Sequence, residues 1–129
     1  MEDGGISSLF RALVHVGTVQ AVRQEYQVFR TAEGGFVVFS PSNRGTTSFH
    51  MSLVEAGKVE ALADAVTKEG VTSGSLMKDS RVTEVFGGGE KVGTRFDLLM
   101  ALYVLTAQGR VEMSRSGRNL IFTKKAYKK

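Results

Sequence analysis

Residues 94–125 read TRFDLLMALYVLTAQG and then RVEMSRSGRNLIFTKK. The first half contains no proline, and its run from Leu98 to Leu105 is apolar at every position. A run of that length without turn residues predicts a helix. Thr94 has the side chain of an N-cap, and Gly109 supplies the left-handed conformation that ends many helices. In the second half, Val111 and Met113 alternate with Glu112, and Leu120-Ile121-Phe122 follow as a continuous apolar stretch. Between them Ser114 to Arg118 holds two arginines and a glycine, so this half predicts a β-hairpin with a basic loop. A helix that is apolar all round is covered on all sides. Its cover must come from the N-terminal part of the chain or from a second subunit.

Upstream of that helix, residues 55–69 place Val59, Leu62, Ala63 and Val66 at helical spacing, with Lys58, Glu60, Asp64 and Lys68 elsewhere around the axis. Gly70 is expected to end this helix as its C′ residue. Thr72 or Ser73 then caps a shorter helix around Gly74 to Lys78, with a continuation towards Phe86. Gly87-Gly88-Gly89-Glu90-Lys91-Val92-Gly93 reads as a loop.

Residues 25–53 predict strands. Tyr26 and Val28 alternate with Gln27 and Phe29, Ala32-Glu33-Gly34-Gly35 forms a turn, and Phe36 to Phe39 returns. Pro41 to Gly45 is a second turn and Thr46 to Leu53 a third strand. Residues 6–24 set Ile6, Leu9, Phe10, Leu13, Val14 and Val16 close to a helical stripe, which is the reading adopted, with a strand over Ala12 to Val22 as the alternative. The fold class expected is therefore α+β: an N-terminal helix and a three-stranded antiparallel meander, then three helices and a β-hairpin. The 129 residues are read as one domain, with residues 1–55 forming the helix and meander, 56–125 the helices and hairpin, and 126–129 a basic tail.

The formal net charge of +4 hides an asymmetry. Arg110 to Lys129 holds seven Lys/Arg and one Glu, a balance of +6, whereas the rest of the chain carries ten Lys/Arg against twelve Asp/Glu, a balance of −2. A basic end attracts phosphate, anionic lipid or an acidic protein, or simply keeps the chain soluble. No apolar run is long enough to span a bilayer, and the acidic start MEDGGISSLF does not read as a signal peptide, so an intracellular location and no membrane partner are expected. With no cysteine, disulfides and thiolate metal sites are excluded.

The order from Lys58 onward resembles a winged helix-turn-helix module. Val59 to Lys68 matches its first helix, Ser73 to Lys78 its second, Thr94 to Gln108 its third and Arg110 to Lys125 its wing. The resemblance implies DNA binding and a role such as transcription regulation in the cytoplasm, nucleoid or nucleus. It places Arg115 and Arg118 as wing contacts, with Arg110, Lys124 and Lys125 beside them, and Lys91, Thr94 and Arg95 at the start of the third helix. Free N–H groups at a helix start favour phosphate. This chain departs from the family in two ways: the loop before the third helix is long and glycine-rich, and the third helix lacks the polar side chains that read base edges. Backbone contacts, to DNA or to RNA or single strands, are therefore the expectation. Aromatic side chains on the meander beside Arg30 and Arg44 are a second candidate surface, for stacking single-stranded bases, although Phe29, Phe36, Phe39 and Phe49 are more simply core residues.

No other motif carries chemistry. The glycine loop at 87–91 lacks the Gly-Lys-Ser/Thr sequence of a phosphate loop. His15 and His50 are not spaced as metal ligands, and Ser48 with His50 is not a triad. No catalytic residue, metal or cofactor is assigned, and the chain does not read as an enzyme. The competing expectation is an assembly module, a homodimer joined through Leu98 to Leu105 or through the edge of the meander.

Overall fold

The structure, a computed structural model, describes residues 13–21, 25–41, 49–86, 92–117 and 119–125. Strands β1 (Val14–Gln20), β2 (Glu25–Arg30), β3 (Phe36–Pro41) and β4 (Phe49–Val54) form an antiparallel sheet in chain order. Helices α1 (Ala56–Ala65), α2 (Ser73–Leu76), α3 (Ser80–Phe86) and α4 (Val92–Ala107) follow. Strands β5 (Val111–Ser116) and β6 (Asn119–Lys124) close the chain as an antiparallel hairpin. The fold is α+β.

The expected N-terminal helix is overturned over residues 14–20, which form β1, so the meander has four strands instead of three. Residues 6–12 and 22–24 of that expectation lie outside the described residues. The reason is a register shift. His15 pairs with Phe29 but Gly17 pairs with Val28, leaving Val16 as an extra residue. Such a bulge puts His15 and Gly17 on opposite faces although they are two apart, which breaks the alternation that marks a strand. The turn after β2 behaves as read. Gly34 has φ 94°, its N–H donates to the Thr31 carbonyl, and the Gly35 N–H donates to Thr31 Oγ1 at 3.0 Å. The second turn, expected over Pro41 to Gly45, does not include Pro41, which ends β3 paired with Phe49; residues 42–45, Arg44 among them, lie outside the described residues.

Helix α1 ends sooner than expected. Val66 is extended, with φ −77° and ψ 131°, and is 2% exposed, so the chain leaves the helix to bury it. Gly70 is not the C′ residue. It has φ +103° and lies against β6, where a Cβ would stand 2.8 Å from Ile121 Cγ2. That approach lets Val71 form a single antiparallel bridge with Phe122, each N–H donating to the other's carbonyl at 2.8 Å. Thr72 caps α2 in a reciprocal box with Ser75. The continuation towards Phe86 is a separate helix, because Asp79 interrupts it: its carboxylate accepts from the Arg81 N–H at 2.9 Å, and its carbonyl accepts from Val82 and Thr83.

Helix α4 starts at Val92, so Thr94 lies inside the first turn and is not the N-cap expected. Its end is as read. Gly109 has φ 79°, the Gly109 N–H donates to Thr106 and the Arg110 N–H reaches back to Leu105, the paired bonds of a Schellman motif. Leu98, Ala101, Leu102, Val104 and Leu105 are completely buried, and Met100 and Tyr103 are nearly so. One side of α4 meets the inner face of the sheet, built from Gly17, Val19, Tyr26, Val28, Phe36, Val38 and Val54; the other meets α1, α3 and the hairpin. Tyr103 links these layers. Its ring lies 4.5 Å from Tyr26 on the sheet and 6.4 Å from Phe122 on β6. Burial, aided by the neighbouring Tyr26 hydroxyl, pushes the Tyr103 phenol well above its ordinary range. The layers share one hydrophobic core.

The sheet comes close to α4 at Gly17, where an added Cβ would lie 2.9 Å from the Ala107 carbonyl oxygen and 3.2 Å from Ala107 Cβ. Gly17→Ala gains about 0.4–1 kcal/mol by restricting the unfolded chain. The overpacking it forces costs about 1–3 kcal/mol. Urea unfolding should therefore show a net loss on the order of 1 kcal/mol. A variant as stable as the parent would mean that the sheet and α4 are not this close.

Candidate nucleic-acid interface

The hairpin turns tightly. Ser116 pairs with Asn119, so both strands run further than expected and Ser114 to Ser116 belong to β5 instead of the loop. Gly117 has φ 63°, which a two-residue turn of this kind needs and glycine supplies without strain. Arg115 is exposed next to the loop, and its Nε donates to the Gly117 carbonyl at 3.0 Å. That bond engages Nε and leaves the two terminal amino groups of the exposed side chain for other acceptors. Arg118 itself lies outside the described residues.

Lys124 and Lys125 sit at the other end of the hairpin, both exposed. Their backbones are tied down: the Lys124 N–H donates to the Thr67 carbonyl at 2.9 Å and the Lys125 N–H to the Arg110 carbonyl at 3.1 Å. Four residues of strand separate Arg115 from the Val111–Lys124 pair, about 13 Å at the usual rise. Exposed cations therefore stand towards both ends of one ribbon. The face of the ribbon carrying Glu112, Ser114, Ser116, Asn119, Ile121 and Thr123 has no cation among them.

Arg110 differs from the other candidates. Its Nη1 donates to Glu60 Oε2 at 2.7 Å and its Nη2 to Glu60 Oε1 at 2.9 Å, a bidentate fork, and Nη1 also meets Gln108 Oε1 at 3.2 Å. This pairing ties the base of the hairpin to α1, so Arg110 acts as a brace with its charge already matched. Nothing in the sequence signals it, because the partners are fifty residues apart. Arg81 is also charge-paired, but locally, with Asp79 two residues before it at 2.9 Å.

The start of α4 supplies less than the sequence suggests. Thr94 and Arg95 are in its first turn, but their side chains, like the whole of Lys91, lie outside the described residues. Next to them stand exposed Phe96 and Asp97, and a carboxylate disfavours phosphate there. The body of the helix is covered by the sheet and offers no side chain to a groove.

On the sheet, Phe36 is in the core, whereas Phe29 and Phe39 lie on the outer face, half-buried and packed edge-to-face at 5.5 Å. The side chain of Phe49 is outside the described residues. His15 packs 5.1 Å from Phe29, and its Nε2 bonds Gln27 Oε1 at 2.8 Å. Gln27 also accepts from Thr18 and donates to Glu25. His15 is thus part of a polar ladder. Among the described residues no cluster of His, Asp or Glu is arranged to hold a metal, and no helix is long and apolar enough to cross a membrane.

The Arg110 hydrogen bonds, with a smaller contribution from its charge, hold the Glu60 carboxyl below its usual range against slight desolvation. A lowered folded-state pKa gives stability that is present above the ordinary glutamate value and lost as pH falls through the lowered one. Glu60 is 63% exposed, so solvent screening limits the pair to on the order of 0.5 kcal/mol. Glu60→Gln should be less stable than the parent by about that amount in urea at pH 7, and the two should coincide once pH falls below the folded-state value. A pH-independent gap would show that charge is not what the pair contributes. Comparison with protein-family models, curated proteins and solved structures gave no match to this chain.

Proposed function

We propose that this chain is a small nucleic-acid-binding protein, DNA before RNA, that holds the phosphate backbone with its C-terminal hairpin and reads few bases. The observation that carries the reading is the Val71–Phe122 bridge. It closes the hairpin onto the segment between the first two helices, as a wing held against a helical module would be, and that supports the winged-helix reading. The wing then ends in Arg115 and Arg118, with Lys124 and Lys125 at its base. Binding would come from phosphate neutralisation and counterion release, and its strength would fall steeply with salt.

Arg110 and the body of α4 take no part in this contact. The first is matched by Glu60 and the second is under the sheet. Lys91, Thr94 and Arg95 are secondary, since Asp97 stands beside them. Such a protein fits regulation of transcription or chromosome architecture within the cell. The competing reading, assembly through Leu98 to Leu105, finds that run covered within one chain apart from a partly exposed Leu99.

Fluorescence anisotropy of a labelled random-sequence duplex across a salt series tests the proposal. The logarithm of the affinity should fall linearly with the logarithm of salt concentration, and Arg115→Ala/Arg118→Ala should make the slope shallower by roughly 2. Arg110→Ala should leave the slope unchanged. No binding at the lowest salt would sink the reading and make the basic hairpin ordinary solvated surface.

A further inference from the structure

We propose that β4 is a self-complementary sheet edge through which two copies of this chain join into one eight-stranded sheet. The proposal does not depend on the phosphate-binding reading.

The two edges of the sheet are built differently. Edge β1 is protected: it is bulged at Val16, and its outward residues His15, Thr18 and Gln20 are polar. A bulge is a device that keeps an edge from pairing with another chain. Edge β4 pairs only with β3 among the described residues. Its sequence, FHMSLV, has no lysine, no other formal charge, no proline and no bulge. It carries none of the protection that a lone edge needs.

The outer face explains what β4 awaits. Cross-strand pairing sets two rows across it, His15–Phe29–Val37–Leu53 and Thr18–Gln27–Phe39–Met51. Both rows begin polar at β1 and end apolar at β4. Val37 is completely buried without joining the main core, while Leu53 is 72% and Met51 47% exposed. The exposed apolar side chains of these rows thus lie on β4 itself, the strand with no second neighbour among the described residues.

A second copy can complete it in a register that sets outer residues opposite outer residues. Residues directly opposite in an antiparallel pair share a face, so only registers that match parity are allowed. Pairing Ser52 with Ser52 about a two-fold axis sets Leu53 of each copy against Met51 of the other. Each outer row of one copy then continues into the other row of its partner, and both exposed side chains are covered twice. Such an isologous contact closes on itself and stops at two copies.

The chain has no cysteine, which makes the register testable by a single thiol. Opposed residues in an antiparallel pair have Cα atoms about 4.5–5.5 Å apart, within the range a disulfide accepts. Sedimentation of the parent protein should give twice the chain mass. Ser52→Cys should form a covalent dimer on mild oxidation, while Gln20→Cys on the protected edge should not. Leu53→Lys should sediment as a monomer with unchanged circular dichroism, since Leu53 is mostly exposed. A monomeric parent overturns the proposal and leaves the edge to some other strand-donating protein. A dimeric Leu53→Lys, or a dimer that Ser52→Cys does not cross-link, overturns it equally, by placing the contact elsewhere.

Discussion

The structure depends on the covering of α4. A helix apolar around its whole circumference exposes too much hydrocarbon to exist beside water, and one neighbouring layer hides only half of it. The chain therefore supplies two layers from sequence far apart: the four-stranded sheet from before α1, and α1, α3 and the hairpin from either side of α4. Tyr103 stands where they meet, in ring contact with Tyr26 on one side and Phe122 on the other. Full burial of a side chain of this size contributes about 1.5–3 kcal/mol, and α4 has several. The Arg110–Glu60 fork and the Val71–Phe122 bridge then fix the outer layer against itself.

That same covering shapes the functional proposal. A third helix with a polar outer face would be a reader of base edges. Here the face that would point outward is the floor on which the sheet rests. What is left for a phosphate backbone is the ribbon beyond the core, with cations at its tip and its base. The surface opposite, the outer face of the sheet, changes from polar at β1 to apolar at β4.

The sequence made the C-terminal half readable because its signals are local. Gly109 needed a positive φ and has one; Thr72 and Ser75 form a box three residues apart; Val111, Met113 and Phe122 alternate or cluster as paired strands do. The unbroken apolar run of α4 announced that a cover was needed, and the meander provides it. The failures have a common cause, which is information that lies between segments. Val16 is a bulge only because β2 is its neighbour, so β1 looked helical. Gly70 ends no helix because the chain left α1 earlier to bury Val66 and then needed a glycine to approach Ile121. Thr94 looked like a cap because nothing local shows that the helix begins at Val92. Arg110 looked like a free cation because Glu60 is fifty residues away. The polar-to-apolar rows of the outer face appear only once four strands are placed side by side.

The order of the elements also bears on how the protein is made. The sheet is complete at Val54, but the helix that covers its inner face starts at Val92. Roughly 40 residues must be added before that helix begins and about 55 before it ends, which at ribosomal rates of about 5–20 residues per second takes several seconds. During that time Val28, Phe36, Val38 and Val54 face water on a nascent chain whose β4 edge is also unprotected. A sheet that forms before α4 is added thus exposes both an apolar face and an unpaired edge, the two features that make partly folded chains prone to aggregate.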